Sequence, residues 1–413
     1  MADDTVNWFA AVDWGSAQHQ ACVLDSGGAV VGERAFPHGG AGLAALCDWL
    51  VSIAGDAGAV AVAIEVPHGP VVDALLDRGF AVHAINPKRL DRLRDRFSVA
   101  GAKDDRRDAR VAAAGLRTDL HLFRPVQASD PAVIELREWS RLAEELQQER
   151  VRLGNRIRQQ LWRPYPQLLE LSDDVAAEWI LALWAMAPTP AKATRLRETT
   201  LARLLKQHRI RRVDAESALT ILRRPAIKVA AGVTEAAVLH LRSLVARLRL
   251  ANREFRQAER KLDELCAALG KEAPDVEGGT PRDAAILASL PGVGTVTLAT
   301  LLTEAAGPLG RRDHAALRTL SGVAPVTKRS GKACVVVMRH AAQTRLRQAV
   351  FHWARVAVQN DPKSRNRYEA LRARGHSYGR ALRGVADRLL GVACVLLRRQ
   401  TLFGPEHGTP VVP

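Results

Sequence analysis

Two stretches of this chain can bury their apolar residues only as long helices lying along another helix. Between residues 131 and 163, Trp139, Leu142, Leu146, Leu153, Ile157 and Leu161 recur at spacings of three, four and seven, with Arg and Glu in the gaps. That spacing is a coiled-coil-like seam. Pro164 and Pro166 end it, because proline cannot continue a helical ladder. A second seam runs from about Thr234 to Leu269 through Val238, Leu241, Val245, Leu248, Phe255 and Leu262. The region between reads as helical but less regular, broken at Pro188 and Pro190.

Residues 8–125 follow a different period. Trp8 to Val12 is an apolar run ending at Asp13; Gln20 to Leu24 follows, then a turn at Asp25-Ser26-Gly27-Gly28, and Ala29-Val30-Val31 opens a strand toward Phe36. Three such runs joined by tight turns predict an antiparallel meander. A helix over about 40–53, a buried-looking strand Ala59 to Ile64 ending at Glu65, a helix from Pro70 to Arg78 and a strand from Ala81 to Ile85 come next. The expected order is three strands, then helix, strand, helix, strand, helix. Glu277 to Pro281 reads as a linker. A mainly helical domain is expected over 282–400, with a β-prone stretch at Cys334 to Met338 and a frayed end from Gly404. The expected domains are therefore 1–128, 129–280 and 281–402, with a tail over 403–413.

Two or three domains also suit 413 residues. The formal net charge of +16 favours a polyanionic partner, nucleic acid first, against the plainer alternative of a cationic surface with no partner. An anionic membrane is the weaker option for that charge and is not the expected partner, and no apolar run approaches the ~20 residues of a membrane-spanning helix. The start, Met1-Ala2-Asp3-Asp4-Thr5, lacks a basic secretory region. The cysteines Cys22, Cys47, Cys266, Cys334 and Cys394 are scattered and form no C-x-x-C pair. A reducing cytoplasm is the expected location.

Asp13 and Glu65 each close a predicted strand, and strand ends of an α/β sheet are where sites gather. Lys103-Asp104-Asp105-Arg106-Arg107-Asp108-Ala109 opens a helix, so Asp105 and Asp108 share a face. Any one of these carboxylates alone reads as a cap, a helix-terminal charge or an arginine partner. Four together would repel, and a divalent cation resolves the repulsion; oxygen ligands select Mg2+ or Mn2+. Two such ions can activate a nucleophile and stabilise a leaving oxygen in phosphodiester cleavage.

Further on, Ser289-Leu290-Pro291-Gly292-Val293-Gly294 precedes an apolar helix, Thr297 to Leu302. This is either a helix–hairpin–helix signature, whose amides near Gly292 and Gly294 bind phosphate without reading bases, or a plain glycine-rich turn. Ser330 is expected in a loop among Lys328, Arg329, Lys332 and Gly331. Those cations would gather phosphate oxygens. A loop serine by itself is usually a turn former. Arg339 to Arg355 and Arg365 to Leu371 read as Arg-rich helices, either solvated or contacting phosphate. Leu204 to Arg212 is another basic block. His19, His68 and His83 lie near the acidic residues without metal-ligand spacing and read as structural.

These features resemble the RuvC-type, RNase H-like nuclease fold and, over most of the chain, the DEDD transposases of the one-ten family of bacterial insertion sequences, which include bridge-RNA-guided recombinases. The resemblance covers residues 8–125, Arg152-Leu153-Gly154-Asn155-Arg156-Ile157 in the first long helix, and nearly all of 282–400. It implies an α/β RNase H-like N-terminal domain, long coiled-coil helices and a mainly α C-terminal transposase domain. It implies a metal-binding tetrad of Asp13, Glu65, Asp105 and Asp108. Asp104 stands where that family usually has Thr or Ser, and Trp14-Gly15-Ser16-Ala17 replaces a frequent Ser-Lys pair after the first aspartate. Gly322-Val323-Ala324-Pro325 and Ser330-Gly331 match the segment that carries the family's serine nucleophile, with Val323 for the usual Leu. Ser321, at the segment's small-residue position, is the lesser candidate. Lys328, Arg329, Lys332, Arg339, Gly292 and Gly294 are the expected nucleic-acid contacts. Donor and target DNA, a structured guide RNA and further copies of the chain, as a dimer or tetramer, are the implied partners, on the bacterial nucleoid. The resemblance also implies that the metal cluster and Ser330 combine into one composite site.

Three other readings compete. A junction-resolving nuclease of the same fold would use metal-activated water and not Ser330. An actin-like kinase or ATPase is suggested by Val12-Asp13-Trp14-Gly15-Ser16, but no second phosphate loop or adenosine motif follows. A non-catalytic nucleic-acid-binding protein would share the charge, not the need for the tetrad.

Overall fold

Small residues and strict alternation build the N-terminal sheet. The structure, a computed structural model, describes residues 6–96, 104–126, 130–271, 282–331 and 333–404. The chain divides into two units, Met1–Asp130 and Pro131–Pro413. In the first unit β1 (Trp8–Trp14), β2 (Gln18–Leu24) and β3 (Val30–Pro37) form the expected meander. Helix α1 (Gly40–Ala54), β4 (Val60–Ile64), α2 (Pro70–Asp77), β5 (Ala81–Ala84), α3 (Pro87–Asp95), α4 (Asp105–Thr118) and β6 (Arg124–Pro125) follow. The sheet order is β3-β2-β1-β4-β5-β6, with β1, β4 and β5 parallel and the other pairings antiparallel.

Successive side chains of a strand face opposite ways. On β1 and β4, Ala10, Val12, Val60, Val62 and Ile64 pack in one core with α1 and α2. Ala11, Ala61 and Ala63 pack in the other, against Ala109, Ala112, Ala113 and Leu116 of α4 and Leu90 and Leu93 of α3. Alanines on both sides of that interface let α4 lie close on the sheet.

Helix α3 and strand β6 were not expected from the sequence. The signal for α3 is local: the Asn86 side chain accepts from Lys88 N at 3.0 Å, and Pro87 fills the first helical position. Leu90 and Leu93 are then its only buried residues, too few to show as a periodic stripe. Two residues of β6 carry no periodicity at all.

The second unit is helical. Its elements are α5 (Pro131–Trp162), α6 (Gln167–Glu170), α7 (Glu178–Met186), α8 (Pro190–Ala193), α9 (Glu198–Gln207), α10 (Ala215–Leu222) and α11 (Val233–Gly270). Then come α12 (Asp283–Ala288), α13 (Thr295–Glu304), α14 (Ala306–Gly310), α15 (His314–Leu320), β7 (Val326–Ser330), β8 (Ala333–Val337), α16 (Thr344–Asn360), α17 (Pro362–Ala373) and α18 (Tyr378–Arg399). Helices α5 and α11 pack along each other, and each serves two cores. Leu153, Ile157, Leu161, Leu241, Leu244 and Leu248 join the core of α6 to α10. Leu136, Ala143, Leu146, Ala258, Leu262 and Leu265 join the core of α12 to α18 around the fully buried Trp353.

Two expectations are corrected here. Ser330 is the last residue of β7 in an antiparallel ribbon, not part of a loop, because Val326-Thr327 pairs with Val336 and Val337 and Ser330 with Ala333. Gly331, at φ 54°, supplies the positive φ that a tight turn needs. Arg339 is not helical: α16 begins at Thr344, where the Gln343 side chain accepts from Leu346 N. The expected linker at 277–281, and Lys103 and Lys332, lie outside the described residues.

Candidate active site

Alternation decides which face of the sheet is acidic. Val12 pairs with Ile64 in parallel register, so Asp13 and Glu65 follow at neighbouring positions. Asp13 lies in phase with Ala11, and Glu65 in phase with Ala61 and Ala63, the face that α4 covers. The backbone just after Glu65 is shaped by a close contact: Gly69, at φ 105°, packs so tightly on Trp14 that a Cβ there would fall 2.6 Å from the indole. Helix α4 begins at Asp105, and Asp104 is its N-cap, its side chain accepting from Arg106 N. An aspartate caps as well as serine or threonine, so the start of α4 is satisfied by Asp104 itself.

Asp105 is exposed on the first turn of α4, whereas Asp108, one turn on, is only 3% exposed. Burying a carboxylate requires a partner. Arg94 of α3 supplies it, with Nε 2.6 Å from one Asp108 oxygen and Nη2 2.7 Å from the other. Burial works against the Arg94 charge, and Asp108, then Asp91 and Glu65, more than restore it, holding its pKa above the ordinary arginine value. A single cation thus answers Asp108 directly and feels Glu65. Among the described residues, no three His, Cys, Asp or Glu side chains gather closely enough to hold a metal ion. The acidic positions do share one sheet end and a buried carboxylate that requires a positive partner. Carboxylate oxygens suit a hard divalent cation by their chemistry; the positive partner that Asp108 has is Arg94.

Sequence reasoning missed Arg94. It stands among Arg89, Arg92 and Arg96, and nothing local distinguishes the one that faces Asp108. The histidines have separate environments. His19 is fully buried, with Nε2 3.1 Å from His38 Nδ1; burial, then His38, lowers its pKa. Burial likewise lowers that of His83.

In the second unit the ribbon sorts the basic residues around Ser330. Directly opposed residues of an antiparallel pair project to the same face. Val326, Lys328 and Ser330 therefore share a face with Ala333, Val335 and Val337, while Arg329 lies with Thr327, Cys334 and Val336 on the other. Lys328, Arg329 and Ser330 are all exposed. Arg339 donates from Nε to Ala324 O at 3.2 Å at the foot of the ribbon. Ser321 is buried and donates to Leu317 O at 2.7 Å, which engages its hydroxyl within α15.

The two glycines after α12 play different parts. Gly292, at φ 82°, backs onto α16, where a Cβ would lie 2.8 Å from Ala357 N. Trp353 Nε1 donates to Pro291 O at 2.9 Å and seals the same contact. Gly294 is exposed, caps α13, and has open space where its side chain would be. Gly292 is thus required by packing, and Gly294 is the one whose surroundings are free. In the basic block at the end of α9, Arg209 takes φ 56° and Arg212 donates to Ser172 Oγ at 3.0 Å.

Comparisons with known proteins give the class first. Residues 10–166 match the DEDD transposase family of IS110, and residues 284–369 match the transposase family of IS116, IS110 and IS902. The chain is 58% identical over 214 residues to the transposase-type protein y4uE of Sinorhizobium fredii, a match covering 51% of this chain and 60% of that protein. It is 31% identical over 403 residues to the mini-circle transposase-type protein for IS117 of Streptomyces coelicolor, covering 95% and 94%. A protein of insertion element IS110 from the same organism is 27% identical over 411 residues, covering 97% and 96%. The chain belongs to this IS110-type transposase family, whose enzymes act on DNA. No helix among the described residues is long and apolar enough to cross a membrane.

Proposed function

We propose that this protein is the transposase of an insertion sequence that cleaves and rejoins DNA strands, with Asp13, Glu65, Asp105 and Asp108 as a Mg2+- or Mn2+-binding tetrad and Ser330 as the nucleophile. The observation that carries the reading is the acidic sheet end, where buried Asp108 takes a cation beside Glu65. The β3-β2-β1-β4-β5 order, antiparallel then parallel, supports an RNase H-like assignment of the first unit.

Bound divalent ions would supply charge neutralisation at the phosphate and activation of an attacking oxygen. Asp13 and Glu65 would hold them from the strands, and Asp105 and Asp108 from the first turn of α4, with Arg94 giving up Asp108 as they bind. The Ser330 hydroxyl attacks phosphorus: the Oγ–P bond forms, a P–O bond to deoxyribose breaks, and the serine proton leaves to a base as the departing oxygen is protonated. Attack by a second strand's hydroxyl on the phosphoserine reverses these changes and rejoins DNA. Lys328, on the same ribbon face as Ser330, stabilises the charge that develops on the phosphate oxygens. A structured RNA transcribed from beside the gene would guide the reaction, and two or more copies of the chain would hold the paired duplexes. The +16 charge suits both nucleic acids.

The test is strand exchange on element-end DNA with the flanking transcript supplied, alongside trapping of the covalent protein–DNA adduct. Ser330→Ala is expected to lose both, and alanine at each tetrad position to lose exchange. Exchange that persists in Ser330→Ala sinks the serine and favours hydrolysis by metal-activated water. Exchange unchanged without the transcript sinks the guide.

A further inference from the structure

The chain has only three tyrosines, and two of them meet at one surface. Tyr378, at the start of α18, stands edge-on to Phe351 of α16 and to Tyr368 of α17, with ring centroids 6.3 Å apart in both pairs. Tyr368 packs partly into the core, but Tyr378 is 50% and Phe351 37% exposed.

The same surface is crowded with cations. Arg367 and Arg374 come from α17 and the turn after it, and Arg380 and Arg383 from α18. Among the described residues none of these four is paired with a carboxylate. Partial burial, then Arg380, Arg374 and Arg367, lowers the pKa of His376 between them; burial, then Arg380, lowers that of Arg383. Four like charges on neighbouring turns repel one another, and a polyanion relieves that repulsion. Arg383 Nη1 also reaches Met338 Sδ at 3.4 Å, the residue just after β8. The patch is therefore continuous with the foot of the ribbon that carries Ser330.

Cations alone fit any phosphate backbone. Half-exposed aromatic rings among them fit a strand whose bases are free, since every base has a π-face to stack. Duplex bases are already stacked and offer no face. We propose that the surface formed by α16, α17 and α18 binds unpaired DNA, bases stacking on Tyr378 and Phe351 while Arg367, Arg374, Arg380 and Arg383 take the phosphates. The choice of DNA over RNA rests on the reading of Ser330 as the DNA-joining residue, whose ribbon this surface adjoins.

The experiment titrates the full-length protein with a fluorescent single-stranded deoxyoligonucleotide, the same sequence as duplex, and the same sequence as RNA. Tyr378→Ala is expected to weaken single-stranded DNA binding about ten-fold or more and to leave duplex affinity unchanged. Tyr378→Phe keeps the stacking face and binds as the parent does. Arg380→Gln weakens single-strand binding and lowers its log–log salt slope by about 0.7. Tyr378 is half exposed, so its replacement leaves the core intact; an unchanged melting curve verifies this. Single-strand affinity unchanged in Tyr378→Ala overturns the surface, as does an equal loss for duplex. Tighter binding of RNA than of DNA, lost in Tyr378→Ala, overturns the assignment to DNA. Ser330→Ala serves as the separate arm: it keeps single-strand affinity if the surface stands, whether or not the serine reading survives.

Discussion

At Asp108 a guanidinium supplies the positive partner; under the proposed metal-binding reading a divalent ion would take its place, and that exchange sets how the site should respond to substitution. Arg94→Ala leaves a carboxylate that is 3% exposed without its partner. Breaking a buried pair from one side costs about 3–5 kcal/mol, and the low end applies because Arg94 itself is 23% exposed. The metal-free variant should therefore melt well below the parent. Mg2+ or Mn2+ should restore most of that loss, because the ion takes over the neutralising role, and calorimetry should register tighter metal binding once the competing charge is gone. A variant whose melting temperature ignores divalent ions, with metal affinity no higher than the parent's, would refute the exchange. The residue scale also resolves two glycines that look equivalent in the sequence: Gly292 answers the backbone of α16 and Gly294 faces open space.

The ribbon of β7 and β8 matters at the scale of the element. Two strands alone are marginal in water, and this pair keeps Lys328, Arg329, Ser330, Cys334, Val335 and Val336 exposed. Its alternation sets Lys328 with Ser330 and Arg329 behind them. Lys328→Ala should slow covalent adduct formation by roughly 100-fold, the scale of a lost charge-stabilising donor. Arg329→Ala should chiefly weaken DNA binding and leave the rate at saturating DNA nearly unchanged. Equal rate losses in single-turnover measurements would show that the ribbon's faces do not sort the two cations. Helix α4 teaches a similar lesson about elements. Its N-cap tolerates Asp104 because the position asks only for a side-chain acceptor to Arg106 N.

Charge acts at the scale of the whole molecule. A surplus of +16 spread over surface arginines makes association with DNA an exchange of counterions. Each duplex phosphate engaged adds about 0.9 to the magnitude of the slope of log affinity against log salt. Six or more contacts should give a magnitude of at least about 5. A slope near 1, from binding isotherms at several salt concentrations, would mean that the surplus charge is not an interface. Helices α5 and α11 are the other feature at this scale: by contributing to both cores of the helical unit they make residues 131–271 and 284–397 one structure.

Much of this was legible in the chain because it is local. The two long helices, the three-strand meander, and the placement of Asp13, Glu65 and Asp105-x-x-Asp108 follow from periods of 3.5 and 2 that neighbouring residues impose on one another, although Leu142, expected in the first seam, is exposed because α5 turns that position away from its cores. Helix α3 and β6 were not legible, having too few buried positions to show a period, although Asn86-Pro87 was a usable start signal. What only tertiary structure decided are meetings across the chain. Arg94, fourteen residues from Asp108, is chosen from its basic neighbours by how α3 packs on α4. The face shared by Lys328 and Ser330 depends on strand register, and the surface around Tyr378 on the convergence of three helices. Periodicity states which side of an element is buried; it does not state what that side will touch, because contact depends on the packing of distant segments, which no short window contains.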